Sequence, residues 1–335
     1  TSILKCYYQD LRRLKRKLTF PQVIDRVIEL ENSLYRSVFY SKGEVYITPA
    51  QMEQALDELL DMVEANYQGL YANDIRALRV KLRIFGFYFA SLDIRQNARV
   101  HRSIWKQFIQ LHPSMPTREE LISADFNQLP LGLNAMEWTD TVERETVNSW
   151  FTMREIQARN GEAAAHRYII SNNEGAEDVL LAMALFHSAG IEYGSIDFVP
   201  LLESVDDLLC AAEMFEQLYA HPSYAAHLQN RNQTQTVMLG YSDGTKDGGY
   251  LMANWSIYQA KEEISRISKQ YGIRVVFFDG RGGPPARGGG KTHQFYAGLG
   301  ESIANREIQI TVQGQTISSN FGTVESCRFN LENWI

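Results

Sequence analysis

The chain has 335 residues, of which 44% are hydrophobic and 22% are charged, so it can bury a core as one large globular domain or two. Its formal charge of −7 comes from 33 basic and 40 acidic residues. This balance argues against a general nucleic-acid or membrane-surface binder, because phosphate backbones and anionic lipids select basic faces. Any positive charge that serves function must therefore be local.

The cysteines and the hydropathy pattern predict a cytoplasmic protein. Cys6, Cys210 and Cys327 are isolated, with no Cys-x-x-Cys spacing, which suits a reducing compartment and gives no zinc signature. The longest clean apolar run, 179–186, is far too short to span a bilayer, and the N-terminus has no secretory pattern. Because the chain lacks an initiator Met and stops within a helical pattern, both ends are expected to be cut from a longer protein.

The first part of the chain predicts helices. Residues 4–18 carry a basic run at 12–17, and apolar residues three and four apart follow Pro21, which is one stripe of a second helix. Thr48 and Pro49 are typical of a helix cap and first turn, and they predict the start of a third helix. We interpret the basic run as a solvated face or packing surface, with nucleic-acid or lipid binding as the alternative.

From residue 86 onward, short apolar runs alternate with helical periodicity, which predicts βαβ units and a parallel sheet. The predicted strands are 87–94, 166–171, 197–203, 236–241, 274–279 and 308–312. The polar stretch 110–134 is predicted to be a long loop. In a parallel sheet the functional residues gather at the carboxyl ends of the strands. Those ends hold Arg95, Asn172, Glu203, Asp243 and Arg281.

Two of the predicted strands run into glycine-rich segments, GYSDGTKDGG at 240–249 and DGRGGPPARGGGKTH at 279–293. The second segment places Arg281, Arg287 and Lys291 among six glycines, so that bare backbone N–H groups and three cations can close around one anion. A phosphorylated or carboxylated substrate is predicted. A P-loop and a dinucleotide loop are both excluded, because Pro285 stands where each pattern needs a glycine.

Four segments, in the order in which the family has them, resemble phosphoenolpyruvate carboxylase. They are SLDIRQNARVH at 91–101, FVPLLESVDDL at 198–208, VMLGYSDGTKDGG at 237–249 and GRGGPPARGGG at 280–290. The resemblance extends from about residue 83 to the end of the chain. Members of this family are much longer, so the chain is expected to be a central fragment of a bacterial-type enzyme.

The resemblance implies an α/β, predominantly helical fold that is part of a (β/α)8 TIM-type barrel with additional helices. Residues 1–85 are expected to form a helical segment that packs on the barrel. Residues 86–335 are expected to form a partial barrel that carries the phosphate and metal site. Both segments are expected to belong to one structural domain of a longer protein.

The implied reaction is the carboxylation of phosphoenolpyruvate by bicarbonate, giving oxaloacetate and phosphate. Bicarbonate attacks the phosphorus, which yields carboxyphosphate and the enolate of pyruvate, and the enolate then attacks CO₂. The resemblance also implies Mg²⁺ or Mn²⁺ as the cofactor, a homotetrameric full-length protein, and no nucleic-acid or membrane partner.

The resemblance assigns the metal to Glu203 and Asp243, and carboxylates of this kind, with water and substrate oxygens, are the ligands that Mg²⁺ prefers. The alternative for Glu203 is a carboxylate that interacts with the dipole of the next helix. Arg95 is assigned to phosphoenolpyruvate binding and catalysis. Its alternative is a structural ion pair with Asp93.

The remaining assigned residues follow the last two glycine-rich motifs. Lys246 is assigned to catalysis, with an exposed loop lysine as the alternative. Arg281 and Arg287 are assigned to both catalysis and substrate binding, and Gly282 and Gly283 to substrate binding, because they match the loop with which the family holds the phosphate.

Two departures from the family pattern are present. Asp279 stands where the family usually has a histidine, and a carboxylate there removes a donor and adds negative charge beside the phosphate site. The segment that bears the family's essential catalytic histidine is absent, so the fragment alone is expected to be inactive. The alternative function is a non-catalytic relative that binds a phosphorylated metabolite as a regulatory or scaffold module.

Overall fold

The structure is a computed structural model that describes residues 2–40, 46–280, 292–303, 306–312 and 314–333. The chain divides into two compact units. The first comprises Thr1–Asp93 and Phe151–His166, and the second comprises Ile94–Trp150 and Arg167–Ile335. The proposed division into segments 1–85 and 86–335 stays a prediction.

The first unit contains a helical core. Its helices are α1 (Ser2–Lys17), α2 (Val23–Phe39), α3 (Pro49–Tyr67) and α4 (Ala72–Phe85). Each helix buries an apolar stripe in one shared cluster, which is the packing that the spacing of the sequence predicts. The basic run of α1 faces acidic side chains, since Lys15 Nζ lies 2.6 Å from Glu31 Oε2 and Lys17 Nζ lies 2.9 Å from Asp74 Oδ1. These contacts favour the reading of the run as a packing surface.

The prediction of a strand at 87–94 is wrong. Helix α4 ends at Gly86, which has φ 49°, and the following apolar residues form turns. Phe87 is buried against the ring of Tyr7, whose hydroxyl donates to the carbonyl of Gly86 at 2.7 Å. Phe89 is 65% exposed. The apolar run therefore closes the helical core, and the strand begins only where the run has ended.

The other elements alternate between strands and helices. They are β1 (Asp93–Asn97), α5 (Ala98–Leu111), α6 (Thr141–Asn160), β2 (Arg167–Ser171), α7 (Ala176–Ser188), β3 (Asp197–Leu202), α8 (Val205–Ala220), α9 (Pro222–Asn230), β4 (Thr234–Gly240), α10 (Tyr241–Gln270), β5 (Arg274–Gly280), α11 (Thr292–Ala297), β6 (Ile308–Ile310), α12 (Gly314–Phe321) and α13 (Val324–Glu332). The stretch between α5 and α6 is irregular except for short 3₁₀ turns, as predicted for 110–134. The fold is α/β and mostly helical.

Within the described residues, the strands form one six-stranded sheet in the order β1-β2-β3-β4-β5-β6. The pairs from β2 to β6 are parallel, with Ile169 opposite Val199 and Gly240 opposite Gly280. Helix α7 is apolar all round and buried, and Phe186 packs on Tyr168 and Phe198 at one face of the sheet. The predicted parallel sheet is confirmed.

The sheet is strongly curved. Arg167 of β2 donates to Gln309 of β6 at 2.5 Å, and its guanidinium lies 5.6 Å from the ring centre of Phe278 in β5. In a flat sheet, four strand spacings would separate β2 from β6 by about 19 Å, too far for the two side chains to meet. The sheet therefore bends towards the face that carries Arg167, opposite α7. The same face carries an apolar cluster of Ile169, Val199, Leu201, Met238 and Phe278.

Candidate active site

The carboxyl ends of the strands bring together the polar side chains that the sequence placed there. Arg95 lies within β1, and Glu203 directly follows β3. The guanidinium Nη2 of Arg95 donates to Glu203 Oε1 at 2.5 Å. The pair joins β1 to the residue that follows β3, although β2 lies between these two strands. The structure thus describes an ion pair of Arg95 with Glu203, and the alternative pairing of Arg95 with Asp93 stays a prediction.

Exposure distinguishes the two partners. The side chain of Arg95 is 51% exposed, whereas that of Glu203 is 17% exposed. An exposed guanidinium can accept a second anion through its remaining N–H groups, because arginine carries five donors in a planar fork. The geometry therefore leaves Arg95 able to contact a ligand from solvent.

The backbone of Glu203 is fixed by the start of α8. Ser204 caps this helix by accepting from the N–H of Asp207, and the Asp207 carboxylate accepts from the N–H groups of both Ser204 and Glu203, at 2.9 and 3.0 Å. Such a reciprocal cap satisfies N–H groups that the helix itself cannot pair. Glu203 is therefore held between a strand end and a capped helix.

Gly240 lets the next strand approach Glu203 closely. A Cβ atom at Gly240 would lie 3.3 Å from Glu203 Cγ and 3.4 Å from the carbonyl oxygen of Leu202. These distances are tight for a real side chain, so the absence of a Cβ atom allows β4 to pass beside the carboxylate.

The predicted loop at 240–249 is a helix. Helix α10 begins at Tyr241, directly after β4, and its regular dihedrals break at Gly249, with φ 77° and ψ 166°. The backbone of Asp243 belongs to the first turn of this helix, while its side chain lies outside the described part, so the pairing of Asp243 with Glu203 stays a prediction. Lys246 is exposed on the same helix and not on a loop.

Four assigned residues lie outside the described residues: Arg281, Gly282, Gly283 and Arg287. In the sequence they follow β5, which ends at Gly280. A Cβ atom at Gly280 would lie 2.9 Å from the carbonyl oxygen of Leu239, so only glycine fits where this strand ends.

Asp279, the residue in place of the family histidine, is completely buried in β5. Its Oδ2 accepts from Lys261 Nζ at 2.7 Å and from the hydroxyl of Tyr296 at 2.6 Å. Lys261 itself is 1% exposed. Lys261 therefore compensates the negative charge that Asp279 brings to the end of β5.

Sequence reasoning missed Lys261, although a signal was present. It lies on the stripe of α10 that Ile257, Ala260 and Ile264 bury, and a lysine in such a stripe indicates a paired, buried charge. Tyr296 carried no comparable signal, because the segment before it has no regular periodicity.

A pair of amides also lies at the strand ends. Asn97 caps α5 and donates through Nδ2 to Oδ1 of Asn172, which follows β2 with φ 51°. Asparagine tolerates this left-handed conformation better than most residues. The pair links the ends of β1 and β2, which is a structural role that the sequence did not specify.

A buried polar cluster connects α5, β2 and α6. The hydroxyl of Tyr168 accepts from Trp150 Nε1 at 2.9 Å and lies 2.7 Å from His101 Nε2. Which of the two groups donates in this contact depends on the tautomer of the imidazole. Burial lowers the pKa of His101 to about 4, with nearby Arg102 adding to the effect and Asp178 opposing it.

The described residues contain no group of three or more His, Cys, Asp or Glu side chains that could hold a metal ion. A site for Mg²⁺ does not require one, since this ion commonly takes one or two carboxylates and keeps several waters. The partly exposed carboxylate of Glu203 fits that donor set. In the described part of the chain, no helix is both long and apolar enough to cross a membrane.

Comparisons with known proteins place the chain in a family. The sequence model of phosphoenolpyruvate carboxylase matches residues 4–335. Proteins of that name from Nitrosomonas eutropha and Mycolicibacterium paratuberculosis are 32% and 33% identical over 310 and 307 residues, which cover 88% and 87% of this chain and 33% of each relative. A third, from Rhodopseudomonas palustris, is 33% identical over 306 residues, 86% of this chain and 32% of the relative. The chain spans about a third of the length of these relatives, and it belongs to the phosphoenolpyruvate carboxylase family.

Proposed function

We propose that this chain supplies part of the active site of a carbon–carbon lyase that carboxylates phosphoenolpyruvate with bicarbonate, giving oxaloacetate and phosphate. The observation that carries the proposal is the ion pair between Arg95 of β1 and Glu203, which directly follows β3. An anionic substrate that binds together with a metal ion requires a cation to contact the substrate and a carboxylate to hold the ion. The exposed Arg95 and the fixed Glu203 fit these two requirements.

The proposed roles follow from charge. Arg95, with Arg281 and Arg287, binds the phosphoryl and carboxylate oxygens of the substrate and neutralises charge as it moves during the reaction. Lys246, exposed on the first turns of α10, adds a fourth cation at the same end of the sheet. Gly282 and Gly283 leave backbone N–H groups accessible to the phosphate.

The residues present fit Mg²⁺ or Mn²⁺. Glu203 and Asp243 would hold the ion, with waters and substrate oxygens as the other ligands. When bound, the ion supplies Lewis-acid stabilisation of negative charge on a substrate oxygen. Glu203 then has two tasks, since its Oε1 also positions Arg95.

The architecture that we propose for the second unit is part of a (β/α)8 barrel. The strand order has no reversal, and right-handed crossovers then place all the connecting helices on one face. The other face is apolar and bent towards itself, as the contact between Arg167 and Gln309 requires. Both features are typical of a barrel wall whose inner side is filled by side chains. A cytoplasmic location and a homotetrameric intact protein complete the proposal.

The test is an assay of the intact protein for phosphate release from phosphoenolpyruvate that depends on bicarbonate, with oxaloacetate measured in parallel. Arg95→Gln should raise KM for phosphoenolpyruvate roughly tenfold or more, because a charged hydrogen bond is lost. Arg99→Gln is the matched control, since Arg99 is exposed on the adjacent helix α5. Equal KM values for the two variants would contradict the role of Arg95.

The metal assignment has its own comparison. Glu203→Gln should raise the concentration of Mg²⁺ or Mn²⁺ needed for half-maximal activity, because one charged ligand becomes neutral. Glu213→Gln makes the same chemical change at an exposed position of α8 and should leave that concentration unchanged. The alternative function is a non-catalytic regulatory or scaffold relative, which Asp279 favoured in the sequence; the charge of Asp279 is paired with Lys261.

A further inference from the structure

Lys261 and Asp279 form an ion pair inside the second unit, where α10, β5 and α11 meet. Their side chains are 2% and 0% exposed, and Lys261 Nζ lies 2.7 Å from Asp279 Oδ2. The hydroxyl of Tyr296 donates to the same oxygen at 2.6 Å. The ammonium group also lies 5.2 Å and 5.6 Å from the ring centres of Phe277 and Tyr296. The pair is therefore enclosed by aromatic rings as well as by hydrogen bonds.

Asp279 is held at the end of β5 by its side chain and by its backbone. The carboxylate of Asp279 is held by Lys261 and Tyr296, and its backbone carbonyl accepts from the N–H of Thr311 at 3.0 Å. Only Gly280 separates Asp279 from Arg281 in the sequence. The pair therefore lies at the end of β5, one residue before the last residue of this strand.

The net charge of the Lys261–Asp279 pair determines how the pair acts on an anion at the end of β5. A carboxylate in an apolar environment interacts strongly with other charges, because the surroundings screen it poorly. Without Lys261, a charged Asp279 would repel an anion at the end of β5. Paired with Lys261, it contributes no net charge.

We infer that Lys261 is a positioning residue that neutralises Asp279, so that the end of β5 can accept an anionic substrate. This inference rests on the proposed function, because it concerns the same site. Lys261 acts through Asp279 and needs no contact with the substrate. Tyr296 supports it by fixing the carboxylate oxygen that Lys261 binds.

The test compares variants of the intact protein by two readouts, KM for phosphoenolpyruvate and the Kd of inorganic phosphate measured by calorimetry. Lys261→Met keeps the length of the side chain and removes its charge, so KM and Kd should both rise about tenfold, with kcat within threefold. The double variant Lys261→Met/Asp279→Asn has no charge left and should return both values to within threefold of the wild type.

The matched control is Arg231→Met, which removes the guanidinium partner of Asp197 at the amino end of β3, 2.6 Å from the carboxylate. This variant should unfold at a lower temperature but bind phosphate as the wild type does. If Lys261→Met behaves in the same way, or if the double variant stays as weak as the single one, the inference is overturned and the pair serves stability only.

Asp279→Asn alone gives a second test if Lys261→Met does not fold. It keeps the positive charge of Lys261, so phosphate should bind as tightly as in the wild type or more tightly, and weaker binding would overturn the inference. The proposed function is tested independently of the role of Lys261. Absence of turnover in the wild type, with phosphate affinities in the expected order, would reject the carboxylase reaction and support the role of Lys261.

Discussion

At the scale of single residues, the space around glycines determines how closely the strand ends approach one another. A Cβ atom would lie 2.9 Å from a backbone oxygen at Gly280 and 3.3 Å from the Glu203 side chain at Gly240. At Gly194 the nearest atom would be 3.9 Å away. A backbone oxygen cannot move without its strand, whereas a side chain can rotate, so the three sites should respond differently.

We predict a graded loss of stability on substitution by alanine. Gly280→Ala should lower the free energy of unfolding by about 1–3 kcal/mol, the usual range for overpacking. Gly240→Ala should cost less, because Glu203 can shift, and Gly194→Ala should stay within about 0.5 kcal/mol. Urea unfolding followed by circular dichroism measures the series. Equal losses of stability at the three positions would show that the close contacts do not determine the cost of the substitution.

Two buried histidines should make stability depend on pH. Burial lowers the pKa of both His101 and His227 to about 4, whereas an unfolded histidine titrates near 6.5. The folded state keeps both rings neutral, and the unfolded state gains protons first as the pH falls. Their stabilising contribution is therefore complete above about pH 6.5 and is lost between pH 6.5 and 4, by roughly 3 kcal/mol for each ring.

His101→Gln tests this dependence. Glutamine keeps an acceptor for the hydroxyl of Tyr168 and removes the ring that titrates. The variant should lose less stability than the wild type between pH 6.5 and 4, and the difference should correspond to one proton. The measurement is urea unfolding at a series of pH values. A variant with the pH dependence of the wild type would mean that His101 is protonated in the folded state.

At the scale of elements, the cap of α3 shows what local sequence can determine. Thr48 Oγ1 accepts from the N–H of Gln51 at 3.2 Å, Gln51 Oε1 accepts from the N–H of Thr48 at 2.8 Å, and Pro49 begins the helix. Thr48 and Pro49 alone predicted this start, because capping chemistry depends on residues within one turn.

We predict that Thr48→Ala destabilises the first unit by about 1 kcal/mol, whereas Thr48→Ser, which keeps the accepting oxygen, changes stability by less. Hydrogen exchange of the first-turn amides of α3 reports the local effect, and urea unfolding reports the global one. Equal exchange in the two variants would mean that the Thr48 hydroxyl does not stabilise the helix.

The strands show where local sequence is insufficient. Five predicted strands agree with β2 to β6 within a few residues. Of these, β2 to β5 are central parallel strands, which are typically continuous apolar runs. The strand β1 reads Asp-Ile-Arg-Gln-Asn and is half exposed, so its own residues do not identify it. These residues form a strand because they pair with the rest of the sheet. The apolar run before them belongs to the helical core of the first unit.

The candidate site also contains residues that the sequence predicted and one that it did not. The rule that function gathers at carboxyl strand ends predicted Arg95 and Glu203, whose contact the structure describes. The position of Lys261 in an apolar stripe indicates a buried, paired charge, but its partner could not be predicted, because Asp279 lies 18 residues away on another element. Only the packing of α10 on β5 brings the two charges together. Whether Asp243, Lys246, Arg281 and Arg287 act as assigned stays a prediction.

At the scale of the whole molecule, the curvature of the sheet is the most informative feature. Arg167 and Gln309 meet although three strands lie between theirs, and the face on which they meet also carries Met238 and Phe278. Helix α7 covers the opposite face through Phe186. A doubly wound sheet would instead reverse its strand order and place helices on both faces.

We therefore predict that the intact protein contains two further parallel strands, which lie between β6 and β1 and close the sheet into an eight-stranded barrel. Closure would bury Met238 and Phe278 completely, because the inner side of such a barrel is filled by layers of side chains. It would also pair the backbone groups that β1 and β6 present at the two edges of the sheet. A crystal or cryo-electron microscopy structure of the intact protein measures this directly. Helices packed on the face of Met238, or an added strand that reverses the order beyond β1, would contradict the barrel while leaving the contact between Arg95 and Glu203 in place.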